Sequence, residues 1–120
     1  MPDVKRVSTP YTYASAVAAG DYVFLGLHRG FGESFSAQLE DAFAYLEATL
    51  EELGLGLEHV VKVNVWLQDI EDLPEMERRF AEYFEDGRYP ARMTSTTEFI
   101  DDDCLMMIDG GAYRGGGADP

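Results

Sequence analysis

Basic residues are scarce in this sequence, and cysteine is almost absent. Nine Lys and Arg stand against 23 Asp and Glu, giving a formal charge of −14 and a sequence pI near 4.2. The imbalance covers the whole chain, with three basic against nine acidic residues in 1–60 and six against fourteen in 61–120. Sequence-independent binding to nucleic acid depends on Lys and Arg neutralising phosphates, so this composition argues against it. It disfavours an anionic membrane surface for the same reason and fits a highly soluble cytosolic protein or one adapted to high salt. The lone Cys104 can form neither an intramolecular disulfide nor a Cys-x-x-Cys pair, so nothing points to an oxidising compartment. The two histidines, His28 and His59, lack the spacing of a zinc site, and no metal is expected. A phosphate loop, a dinucleotide-binding glycine pattern and a Gly-x-Ser-x-Gly elbow are all missing, so no nucleotide cofactor is expected either. No apolar run reaches the roughly 18–20 residues that cross a bilayer. Met1-Pro2-Asp3-Val4-Lys5-Arg6 has no apolar segment behind its basic pair, so no signal peptide is expected and the expected location is cytoplasmic.

What is present suits one globular domain over residues 1–120, with a polar, flexible tail from about 115 to 120. Hydrophobic residues make up 46% of the chain, enough for a core. An opening strand near Val4–Ser8 and a second over Asp21–Leu25, after the turn at Ala19-Gly20, are followed by a glycine-containing stretch, Leu27–Glu33, that reads as a loop. Leu39, Phe43, Leu46, Leu50 and Leu53 recur at helical steps and stop at Gly54, while Glu40, Asp41, Glu47, Glu51 and Glu52 form the solvated face. Val61, Val63, Val65 and Leu67 alternate with Lys62, Asn64 and Trp66, which predicts a strand. Asp72 with Glu75 three residues on predicts a capping box, opening a helix with Leu73, Met76, Phe80 and Phe84 on its apolar stripe and an end near Gly87. Ala91–Phe99 and a segment starting at Leu105–Ile108 complete the strands. The class is α+β, a small sheet with two helices on one face, and the uncovered face calls for another subunit.

Two residues stand out as carriers of chemistry. Arg92 lies two positions after Pro90 and shares a strand face with Thr94 and Thr96. A guanidinium beside hydroxyls suits a bidentate grip on a small carboxylate; the competing reading is an ion pair with one of the many acids. Asp109 interrupts the run Leu105-Met106-Met107-Ile108, and Gly110-Gly111 after it would clear space around it. It is either a base or water-positioning group, or an acid marking the strand end. His28, in the predicted loop, is a candidate ligand contact, and Tyr13, in a polar stretch, a candidate pocket wall. Tyr22 reads as core or interface packing.

Tyr13–Val17, Ala19–Phe24, Val60–Leu67 leading into Gln68-Asp69-Ile70, Tyr89-Pro90-Ala91-Arg92 and Met107–Tyr113 together resemble the Rid/YjgF family of reactive-intermediate deaminases. The likeness runs over about residues 10–114, and Pro-Ala-Arg is its most specific element. It implies a chorismate-mutase-like fold with a single mixed sheet, assembled as a homotrimer with sites between subunits. The implied activity is cofactor-independent hydrolysis of small 2-imino and 2-enamino acids to 2-oxo acids and ammonia. Arg92 would hold the substrate carboxylate, Asp109 would stand where the family often has a water-positioning Glu, and Tyr13 where it has a pocket tyrosine; His28 and Thr94 complete the expected substrate contacts. Gly26-Leu27-His28 stands where the members best described as imine deaminases have Ser-Gly-Gln, Met93-Thr94 where they have Ser-Cys, and Glu77 where they have Asn, which opens a second reading as a trimeric module that binds small carboxylates without turnover. The ribonuclease activity attached to some members is the reading least compatible with −14.

Overall fold

The computed structural model describes residues 4–115, so the expected tail lies outside the described residues apart from Gly115. Six strands among them form one mixed sheet: β1 Val4–Ser8, β2 Ala14–Ala19, β3 Tyr22–Arg29, β4 Val60–Leu67, β5 Ala91–Thr96 and β6 Met106–Tyr113. Their spatial order is β1-β2-β3-β6-β4-β5, and only β4 and β5 run parallel. The parallel pair is joined through helix α2, Leu73–Phe80, while α1, Phe35–Glu51, follows β3. Both helices lie on one face, as the class predicts.

The amphipathic period of α1 is realised in its packing. Leu39, Phe43, Leu46 and Leu50 are fully buried against Val63, Val65 and Ile108, each burial contributing about 1.5–3 kcal/mol. Phe43 stacks on Tyr83 and meets the edge of Phe80, which ties α2 to the same core. The helix starts earlier than its leucines indicate, because the Ser34 hydroxyl caps Ala37 N–H at 3.1 Å. At its other end Gly54 takes a φ of 74°, closing the turn as predicted.

Several elements depart from the sequence reading. Leu27-His28-Arg29, the first part of the expected loop, is strand: after a bulge past Leu25, β3 resumes pairing with β6 through His28 and Arg29. The β4 alternation also shifts, since a bulge between Val60 and Lys62 turns Val60 inward and leaves Val61 exposed. Asp72 does not cap α2. A 3-10 turn over Ile70–Asp72 runs straight into the helix, so Asp72 already has helical backbone and the capping side chain is Asp69, which accepts from Glu71 N–H at 2.9 Å. The helix itself ends at Phe80, and Phe84 packs from the turns that follow.

Buried Gln38 positions β6. It donates to the carbonyls of Gly32 and Asp103 and accepts from Leu105 N–H, while Arg29 pairs with Asp101 and Asp103 at 2.9 and 3.2 Å. The segment entering the Asp109 strand is thereby pinned to α1 and β3.

Candidate functional site

Register decides where each candidate points. On β4, Val63, Val65 and Leu67 face the helices, and their partners on β5 are Arg92, Thr94 and Thr96. Those three therefore share the helix side, as alternation predicts. Asn64 on β4 pairs with Asp109 on β6, and both take the opposite, open face. Within one chain the structure does not bring Arg92 and Asp109 together.

Arg92 borders a cavity of about 360 Å³ lined by Glu77, Phe80, Ala81, Tyr89, Pro90 and Arg92 itself. Its guanidinium lies 4.9 Å from the centre of the Phe80 ring and forms an ion pair with Glu77 on α2. Pro90 stops the preceding segment and β5 begins at the next residue, which is how Arg92 arrives at the wall of this pocket. The ion-pair reading of Arg92 is thus realised, inside a cavity of a size suited to a small ligand. The partner, Glu77, is one of the residues at which the sequence departs from the resemblance.

Asp109 is half-buried and held at both oxygens: Asn64 Nδ2 donates to one at 2.6 Å and Trp66 Nε1 to the other at 2.7 Å. Sequence reasoning missed these two donors, although their alternate positions on β4 marked them as the non-core face. Gly110 does not clear space for Asp109. It faces the other side, where a Cβ would run into the backbone of Lys62 and Val63. Around Asp109 the open face carries exposed Phe24 and Met93, and Tyr22, also exposed, packs on Tyr113.

Tyr13 is found at a second cavity, of about 280 Å³, with Tyr11, Ser15, Tyr45 and Thr49; it is exposed and stacks on Tyr11. His28 corrects the expectation of a ligand contact. Because the strand continues through it, its ring turns inward, fully buried against Tyr45. Nδ1 lies 2.6 Å from the Gly26 carbonyl, which can only accept, so Nδ1 carries the proton and Nε2 accepts from the Thr49 hydroxyl at 2.9 Å. His28 is a core residue here and meets the second cavity only through the side chains of Tyr45 and Thr49, which line it.

Burial holds the His28 imidazole below its usual range near 6.5, despite the opposing pull of the Gly26 and Ile108 backbone and of Asp109. The unfolded chain then binds more protons than the folded one once the pH drops under that range. His28's contribution to stability is full above about pH 6.5 and declines from there as the pH falls through the folded value. Urea melts at pH 7.5 and 5.0 check this: wild type should lose more stability on acidification than His28→Gln. An equal loss would show that His28 titrates in the folded state as it does in the unfolded.

A single mixed sheet covered by two helices on one side is the α+β architecture of YjgF-family structures. A YjgF-family structure from Neisseria meningitidis superposes with a TM-score of 0.89 at 26% identity, over 96% of this chain and 98% of that one. The sequence model described as Endoribonuclease L-PSP matches residues 5–113, and the chain belongs to this family, the one also known as Rid, YjgF or RutC. A RutC family protein of Pyrococcus horikoshii is 30% identical over 85% of this chain and 86% of its own. A protein of Dermatophagoides farinae named 2-iminobutanoate/2-iminopropanoate deaminase is 29% identical over 78% of this chain and 84% of its own.

Proposed function

We propose that the protein, as a homotrimer, hydrolyses small 2-imino and 2-enamino acids to 2-oxo acids and ammonia without a cofactor. The observation that carries this is the position of Arg92: a guanidinium in the wall of a small cavity that Phe80, Tyr89 and Pro90 also line. The deaminase named among the relatives supports the reaction class. Exposed Phe24 and Met93 on the uncovered sheet face support assembly.

The chemistry asks little of the protein. A 2-enamino acid takes a proton on carbon to become the 2-iminium acid, whose C2 is electrophilic. Arg92 holds the carboxylate, so that water meets C2 in a fixed orientation. Water's oxygen bonds to C2, one of its protons leaves to a base, and the resulting carbinolamine expels ammonia as the C2–O bond becomes a carbonyl. Asp109 is the proposed base and return donor. Its oxygens keep lone pairs beyond those used by Asn64 and Trp66. Since Arg92 and Asp109 lie on opposite faces of one chain, a site using both takes them from two subunits. Thr94, beside Arg92 on the same face, is a further substrate contact in this reading.

Ammonia release from freshly generated 2-aminoacrylate tests the activity, and mixed assembly tests the shared site. Arg92→Ala and Asp109→Asn subunits, each strongly impaired alone, should on co-refolding recover about a quarter of wild-type turnover, because each site draws its two residues independently from a closed ring of copies. Absence of recovery, or a monomer by light scattering, would sink the two-subunit site. The second reading, a binding module without turnover, is favoured by the Glu77–Arg92 pair, which occupies the carboxylate grip in the chain alone; it predicts binding of 2-oxo acids with no ammonia released.

A further inference from the structure

Building on the carboxylate-binding role of Arg92 in the preceding reading, we infer that Glu77 makes this pocket selective for ligands that carry a cationic nitrogen beside their carboxylate. The pocket holds one positive and one negative group in direct contact, Arg92 and Glu77, against a wall formed by Phe80, Ala81, Tyr89 and Pro90. A ligand with a carboxylate alone has to displace Glu77 from Arg92, and leaves the Glu77 carboxylate without its partner next to an added negative charge. Like charges brought together in this way oppose binding. A ligand bearing both a carboxylate and an ammonium or iminium group splits the pair without that penalty: its carboxylate replaces Glu77 on Arg92, and its nitrogen donates to Glu77. Arg92 stays packed on the Phe80 ring throughout. The Glu77 side chain, about 60% exposed, is free to swing by the small distance this exchange requires.

The selectivity has a direction that matters for turnover. A 2-iminium acid is zwitterionic, whereas the 2-oxo acid it yields is only an anion. Glu77 therefore holds substrate better than product and assists product release, a difference in binding between the two ends of one reaction. With Asn in that position, a substrate and a product carboxylate would be gripped by Arg92 almost alike.

Binding of L-alanine and L-lactate, matched in shape but differing in ammonium against hydroxyl, tests this on the assembled protein by titration calorimetry. Wild type should prefer alanine by on the order of tenfold, and Glu77→Gln should invert the order, with lactate gaining on the order of tenfold and alanine losing a similar factor. Pyruvate should also inhibit Glu77→Gln more strongly than wild type. If Glu77→Gln leaves the alanine-to-lactate ratio within about twofold of wild type while Arg92→Ala loses both ligands, the inference falls and the Arg92 pocket stands. If Arg92→Ala retains both ligands, or wild type binds neither, the pocket reading falls and this inference with it.

Discussion

Arg92→Ala is expected to lower kcat/KM for 2-iminopropanoate by roughly 30- to 1000-fold, the effect of truncating one partner of a charged, hydrogen-bonded pair. The same change should hardly alter the fold. Glu77 is well exposed, so its ion pair with Arg92 is screened and worth within about 1 kcal/mol, and the contact with Phe80 adds a comparable amount at a partly exposed site. Arg92→Lys should fall between, because an ammonium keeps the charge but cannot present two parallel N–H donors to a carboxylate. Steady-state kinetics beside thermal melts separate the two roles. A loss of activity matched by a large drop in melting temperature would make Arg92 a structural residue, and wild-type kinetics in the Ala variant would remove it from the site altogether.

Gly110→Ala should be the most damaging single-methyl change in the sheet, destabilising the protein by about 3 kcal/mol, the upper part of the range for overpacking. Gly110 lies opposite Val63 between two interior strands, and the atoms an added Cβ would meet are the carbonyl of Lys62 and the Cα of Val63. Backbone in the middle of a sheet cannot rotate aside as a side chain can, so β4 and β6 have to separate where the bulge at Val60–Lys62 already bends them. At this chain length the melting temperature should fall by roughly 10 °C. Gly111→Ala is the internal control: its Cβ would approach only the Val23 carbonyl, at 3.3 Å, and should cost under about 1 kcal/mol. Equal melting temperatures for the two variants would mean that the β4–β6 register differs from the one described.

Both changes act at positions whose meaning came from different levels of the molecule. The leucine steps of α1, the alternation of β4 and the shared face of Arg92, Thr94 and Thr96 are local. Each follows from a backbone repeat of two or about four residues, and the apolar pattern needs no knowledge of partners to be read. The residues around Pro-Ala-Arg carried the family likeness in the same way. β2, Ala14–Ala19, left almost no such signal, because small residues mark neither a buried stripe nor a β-branched strand; it exists through pairing with β1 and β3 on either side. His28 looked like a loop residue beside glycines until pairing with Ile108 extended the strand and turned the ring inward. The capping acid moved from Asp72 to Asp69 once a preceding turn fused with the helix.

The site depended most on tertiary structure. Arg92 and Asp109 are 17 positions apart in the chain, and nothing local relates their faces. Their relation runs through β4, where Val63 pairs with Arg92 and its neighbour Asn64 with Asp109, so that a one-residue offset sends the two side chains to opposite sides of the sheet. Glu77 entered the sequence reading only as a residue out of pattern; the crossover from β4 through α2 to β5 is what sets it against Arg92. Periodicity determined the class of fold, and the few residues around Pro-Ala-Arg carried the family likeness. Which charges meet was decided by strand register, a long-range property, because residues distant in the chain acquire a common face only when the sheet is paired.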